Sequence, residues 1–210
     1  KKWTSEIRLQ PYGFLTNRDL SVLIDTTVAL NGLMETTQIR ITKDNPNFKV
    51  YFYPSVMLRA VDPDYRIDSP SFVINQSKKN EIVSSKVLID SFRTNQTQRD
   101  HLIRKCVAQG LGLTIDGNSY PDSIFHQRWN DVTRLSPLDK QVIRLFYSDQ
   151  VLSGMTAQQL LQLDINQRQN PNLNELVEPT SEDNIIEETN NLQPETLAGD
   201  INGDGTVDIF

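Results

Sequence analysis

Cysteine, histidine and long apolar runs are scarce in this 210-residue chain. Its single cysteine, Cys106, excludes an internal disulfide bond, and it has only two histidines, His101 and His126. No apolar run approaches the roughly 20 residues that a membrane-spanning helix needs. The sequence opens on Lys-Lys-Trp without a methionine or an apolar signal core. We therefore expect a soluble protein without a transmembrane segment, either a mature form or a fragment.

Basic residues are nearly absent from the last part of the chain. Residues 1–150 contain 20 Lys and Arg and 16 Asp and Glu, whereas residues 151–210 contain one basic residue and 11 acidic ones. The basic surplus of the first part is small and scattered along the sequence. A nucleic-acid surface needs a stripe of basic residues, usually with stacking aromatics. The sequence therefore predicts no nucleic-acid partner.

Hydrophobic periodicity predicts an α/β domain over residues 1–168. We expect strands near residues 7–9, 39–41, 50–52 and 84–90, and helices over 17–34, 96–113, from Ser136 onward and over 156–166. The first strand is expected to stop at a Pro11-Tyr12-Gly13 turn. Residues 54–80 are polar and contain three prolines, which predicts an irregular excursion. Residues 169–198 are rich in Asn, Gln, Glu and Pro, which predicts an unfolded linker.

The segment from 199 to 210 carries the most specific motif, "GDINGDGTVD". Calcium loops place oxygen donors at alternating positions and a glycine at the sixth position, where the chain turns sharply. The matching donors are Asp200, Asn202, Asp204, Thr206 through its carbonyl, and Asp208. The acidic residue expected at position 12 would fall past Phe210. We therefore predict a partial calcium loop, with calcium as the cofactor.

This loop resembles the first repeat of type I dockerins, which begin with the same Gly-Asp-x-Asn-x-Asp-Gly pattern. Dockerins bind cohesin domains on secreted assemblies. The resemblance implies a secreted or cell-surface protein, and a cohesin-type partner for a complete dockerin. It covers only residues 199–210.

The order of elements over about residues 3–165 resembles the catalytic domain of metzincin-type zinc proteases. The features that carry it are an opening strand at Trp3, a long helix, strands, a helix ending in Leu111-Gly112-Leu113, a loop at 123–125, and a helix with Asp and Tyr. It resembles more closely a family of bacterial, often lipoprotein, domains of unknown function with the same frame. The resemblance implies a zincin-like fold: a small mixed sheet, a long N-terminal helix, a central helix and C-terminal helices.

Zincins bind zinc through two histidines four residues apart on a helix, and a glutamate after the first one activates water. Alignment on Leu111-Gly112-Leu113 puts Lys105 and Gln109 at the histidine positions and Cys106 at the glutamate position. Ile115 takes the place of the third ligand. A lysine ammonium opposes metal binding, so zinc is not expected. The leading hypothesis is an exported, non-catalytic module for binding or assembly, whose partner is an unknown protein or a polysaccharide.

Two other hypotheses about the function stay open. A secreted hydrolase, either a peptidase or a polysaccharide-active enzyme, would need a non-standard site. Its candidate residues are His101, His126, Asp116 and Asp122, with Asp131 as a further carboxylate for a glycosidase-like pair. A structural domain whose only ligand is calcium at the tail is the third hypothesis. In every case we expect Cys106, on an apolar helical stripe, to be a buried structural thiol.

Overall fold

The computed structural model describes residues 1–67, 72–114, 116–127 and 131–169, without side-chain positions for 164–169. The chain divides into two compact units, residues 1–160 and 161–210, and the sheet, the pocket and the ion pairs described below lie in the first one. The predicted linker past residue 169 and the predicted calcium loop lie outside the described residues. None of the described helices combines the length and the apolar composition that crossing a bilayer requires.

A five-stranded sheet forms the centre of the first unit. Its strands are β1 (Ile7–Gly13), β2 (Ile39–Ile41), β3 (Phe48–Tyr53), β4 (Phe72–Gln76) and β5 (Ile82–Asp90). They lie in the order β2-β1-β3-β5-β4. Strands β2, β1, β3 and β5 are parallel to one another, and β4 runs antiparallel to β5 at the edge. The predicted mixed α/β fold is confirmed.

Five helices are described: α1 (Asn17–Asn31), α2 (Ser55–Val61), α3 (Gln96–Gly110), α4 (Pro137–Phe146) and α5 (Ala157–Gln169). Helices α1 and α3 pack on each other and on one face of the sheet. Helix α2 lies on the other face, where its buried Leu58 packs in a cluster with Leu88. The two faces differ because successive strand residues point to opposite sides.

The main core lies between the sheet and helices α1 and α3. Its buried strand residues are Ile7, Leu9, Ile39, Phe48, Val50, Phe52, Ile82, Val87 and Ile89. The Trp3 ring stacks on Phe48 with 6.3 Å between ring centroids, and its Nε1 donates a hydrogen bond to the Gly110 carbonyl. A Cβ atom at Gly110 would lie 2.5 Å from Cζ of Phe48. Glycine at this position therefore lets α3 approach the sheet closely.

Capping residues start the helices where the sequence predicts. Thr16, Asn95 and Ser136 each accept a hydrogen bond from the residue three positions later, and each forms a full capping box. The predicted helix ends are less accurate. Helix α1 stops at Asn31 rather than 34, because the Asn31 side chain bonds both backbone groups of Ile39. Helix α3 stops at Gly110 rather than 113, shortly before Gly112 takes a positive φ of 107°.

Two other predictions about elements are wrong. The first strand does not stop at Pro11-Tyr12-Gly13, because Pro11 pairs with Val50 and the strand continues to Gly13. Residues 54–80 are not simply an excursion, since they contain α2 and β4. Pro54 is the N-cap of α2, so it precedes that helix rather than interrupting it. Strand β4 has only five residues, too few to give a clear periodic signal.

Candidate functional site

Helix α3 brings Lys105 and Gln109 to one aspartate. The two residues lie one helical turn apart and therefore share a face. The Lys105 Nζ atom lies 2.9 Å from Oδ2 of Asp116, and Gln109 Nε2 donates to Oδ1 of the same carboxylate at 2.9 Å. Lys105 also donates to the His126 carbonyl at 2.9 Å. Both oxygens of Asp116 are thus bound, and one ammonium group joins α3 to two points of the following loop.

The loop from Gly112 to Gln127 folds back on itself after α3. Gly112 makes the turn in a left-handed conformation, where an added Cβ would lie 2.4 Å from the Lys1 carbonyl oxygen. Gly117 then pairs with the returning chain, accepting from the Gln127 amide and donating to the Phe125 carbonyl. This pairing places Asp116 beside α3, so the contact with Lys105 follows from the loop's own geometry.

The side chains at the predicted zinc positions do not fit that metal. Zinc in proteins is held by thiolate, neutral imidazole or carboxylate groups. Lys105 contributes a cation and Gln109 an amide. Cys106 is 3% exposed within the main apolar cluster, so its predicted burial is confirmed. The third position, Ile115, lies outside the described residues.

The alternative set of His101, His126, Asp116 and Asp122 does not assemble into a metal site. Within the described residues, no three His, Cys, Asp or Glu side chains form a group that could hold a metal ion. Asp122 is exposed, and Asp116 is taken by Lys105 and Gln109. Asp131 is likewise exposed. The predicted calcium donors, Asp200, Asn202, Asp204, Thr206 and Asp208, lie outside the described residues.

His101 has a structural environment. Its ring is buried, and Nδ1 lies 2.7 Å from the Val132 carbonyl oxygen. A carbonyl only accepts hydrogen bonds, so Nδ1 carries the proton. Burial lowers the pKa of His101, although the bond to Val132 and nearby carboxylates act in the opposite direction. These contacts indicate that His101 has a neutral ring, which joins α3 to the segment before α4.

Asp139 joins the loop at 123–125 to α4. Its carboxylate accepts from the Ser123 hydroxyl at 2.5 Å and from the Ile124 amide at 3.1 Å. The same group completes the capping box with Ser136, so the predicted helix start at Ser136 is confirmed. After α4, the fully buried Tyr147 donates its hydroxyl to the Leu111 carbonyl at 2.6 Å. Burial raises the pKa of Tyr147, which keeps this donor protonated.

A pocket of about 760 Å³ opens between β4, the loop after α3 and α4. Its apolar lining consists of Phe72, Ile74, Leu113, Phe125, Leu138, Val142 and Phe146. The volume and the lining are typical of ligand sites. The predicted irregular excursion over 54–80 includes β4, so the sequence pattern does not indicate this pocket. Phe72 and Ile74 lie on the same side of β4, but the apolar Val73 between them obscures the alternation in "FVINQ".

These features define a mixed α/β domain with an ion-paired lysine at the end of its central helix and an apolar pocket beside its edge strand. The chain belongs to the family described as "Protein of unknown function (DUF2927)", which matches residues 1–163. No curated protein matches the chain.

Two solved structures of myroilysin, a metalloprotease, are similar to this chain. "Structure of Myroilysin" has 13% identity and a TM-score of 0.42, and covers 70% of this chain and 82% of that one. "Crystal structure of myroilysin" has 15% identity and a TM-score of 0.45, and covers 70% and 85%. These values are too low to bear on activity.

Proposed function

We propose that the globular domain is a non-catalytic binding module on a zincin-like frame. The ion pair between Lys105 and Asp116 is the observation that carries this proposal. In the metzincin resemblance, Lys105 and Gln109 stand where two zinc-binding histidines would be. A lysine whose ammonium is bound by a carboxylate and a carbonyl fills that place with a cation of its own. The domain then keeps the shape around the site without the ligands for zinc.

The pocket gives this module a binding site. It lies beside β4, which in the described residues pairs on one side only, with β5. An extended peptide can add to such an edge through backbone hydrogen bonds, and pockets then select its side chains. The lining is mainly apolar. We therefore propose that the ligand is an extended segment of a partner protein with a large apolar side chain.

Filling the pocket should weaken the binding of apolar compounds. Val142 lines the pocket and is 41% exposed, so α4 can accept a larger side chain there. We expect Val142→Trp to weaken binding of anilinonaphthalene sulfonate roughly ten-fold, measured by fluorescence titration. Leu145→Trp is the matched control, because Leu145 is a similarly exposed residue of the same helix outside the pocket lining. Equal effects of both variants would contradict a pocket-bound ligand.

For the tail, we propose a calcium site on an exported protein. The pattern from Asp200 to Asp208 supports it through the order of oxygen donors. Calorimetric titration of the full chain should show calcium binding that Asp200→Ala with Asp204→Ala abolishes. Removing two acidic residues from the linker, by Glu182→Ala with Asp183→Ala, should leave it intact. Calcium binding that survives the first pair would refute the assignment.

A further inference from the structure

Four cations lie as two opposed pairs on the face of the sheet opposite α1 and α3. Arg8, Lys49 and Lys86 each follow a residue whose side chain is buried, so they point away from the main core. Arg8 lies opposite Arg40 in the β1–β2 register, and Lys49 lies opposite Lys86 in the β3–β5 register. Adjacent strands are about 4.8 Å apart, so these like charges are close neighbours. We call the four residues the cationic face.

The protein itself neutralises this face only in part. Glu6 lies 3.9 Å from Arg8 and 3.0 Å from Arg40, and Asp62 lies 3.8 Å from Lys86. Within the described part of the chain, no carboxylate lies within ion-pair distance of Lys49. Like charges directly opposite each other destabilise a strand pair. Two such pairs on one face do not stabilise the folded state. Their presence therefore points to an anionic partner.

Neighbouring tyrosines indicate which kind of polyanion fits. The rings of Tyr12 and Tyr51 stack with 5.1 Å between centroids and 19° between planes. Tyr51 also lies against Tyr53, with 6.1 Å between ring centroids, so these rings are engaged with one another rather than presented singly to a nucleic-acid base. Proteins that bind single-stranded nucleic acids stack bases on aromatic ring faces. The surface instead suits an anionic polymer that is recognised through charge pairing and hydrogen bonds alone.

We propose that the cationic face binds an anionic polysaccharide, whose carboxylate or sulfate groups pair with Arg8, Arg40, Lys49 and Lys86. The inference is independent of the apolar pocket, which lies at β4 and α4. It concerns one surface of a protein whose formal net charge is −6, so the attraction is local rather than a property of the whole chain.

Heparin binding by the full chain at low ionic strength tests this proposal. We expect Arg40→Ala with Lys49→Ala to weaken heparin binding about ten-fold and to reduce its salt dependence. Lys78→Ala with Lys79→Ala is the matched control, because it removes the same charge from the exposed turn between β4 and β5. The control should bind within about two-fold of the unchanged protein. The melting temperature of the first variant should be unchanged or higher, since opposed like charges are removed.

Three results would overturn the proposal. The first is no heparin binding by the unchanged protein. The second is an equal loss in both variants, which would mean non-specific attraction. The third is tighter binding of a single-stranded DNA oligonucleotide than of heparin, with the same sensitivity to Arg40 and Lys49, which would make the face a nucleic-acid surface.

Discussion

Replacing Arg99 with methionine is expected to lower the free energy of unfolding by about 3–5 kcal/mol, because it leaves a buried carboxylate without its counter-ion. Asp19 is fully buried, and its Oδ1 lies 3.0 Å from Nε of Arg99, whose side chain is 12% exposed. Arg99 also donates to the carbonyls of Ser91 and Thr94. Urea denaturation at pH 7 gives the change directly.

Arg18→Met is the matched control for this experiment. Arg18 pairs with Asp100 at 2.9 Å between the same two helices, but its side chain is 60% exposed. Solvent screens the exposed Arg18 guanidinium, and Gln96 still donates to Asp100, so we expect a clearly smaller loss than for Arg99→Met. Similar losses in the two variants would show that burial of the Asp19 pair does not govern its contribution.

The effect of Arg99→Met should also depend on pH. Burial alone raises the pKa of Asp19, but hydrogen bonds from Thr16, Gln96 and Arg99 outweigh it, and the pKa of Asp19 lies below its ordinary value. A depressed carboxylate pKa stabilises the fold above the unfolded pKa of about 3.9, and this contribution is lost as the pH falls further. The stabilities of the variant and the unchanged protein should therefore converge below about pH 4. A constant difference down to pH 2 would contradict this account.

Introducing two histidines on α3 should create a zinc site. Lys105 and Gln109 both reach the carboxylate of Asp116, each at 2.9 Å, so three side chains meet at one point. Histidines at positions i and i+4 with a carboxylate form a common zinc ligand set. We expect Lys105→His with Gln109→His to take up about one equivalent of zinc, measured by plasma mass spectrometry.

The added substitution Asp116→Ala supplies the control. It should remove most of the zinc from the two-histidine variant, because two imidazoles alone leave the metal under-coordinated. Zinc uptake that does not depend on Asp116 would place the metal elsewhere. No uptake by the two-histidine variant would mean that the three side chains do not converge in solution.

Local signals in the sequence were sufficient for the helix starts. A capping box involves residues three positions apart, so Ser136 and Asp139 identify the start of α4 without knowledge of the fold. Burial of Cys106 followed from helical periodicity in the same way. The helix ends were less predictable, because the stop of α1 depends on a bond from Asn31 to the distant Ile39.

Contacts between distant segments were not predictable from local patterns. The resemblance to zincins points to Lys105 and Gln109, but the position of their partner Asp116 is set by the turn at Gly112 and the pairing at Gly117. The cationic face depends even more on contacts between distant segments. The scattered basic residues predict no nucleic-acid partner, whereas the strand register brings four of them together as two opposed pairs on one face. Charge clustering in a sheet depends on strand order, which the sequence alone left open.

The metal content of the full chain, purified without chelator, tests the central claim most directly, together with a general peptidase assay on the same sample. The account predicts less than about a tenth of an equivalent of zinc and no cleavage, because Lys105 is bound to Asp116 where a metal ligand would be needed. About one equivalent of zinc, with cleavage that a chelator abolishes, would contradict it.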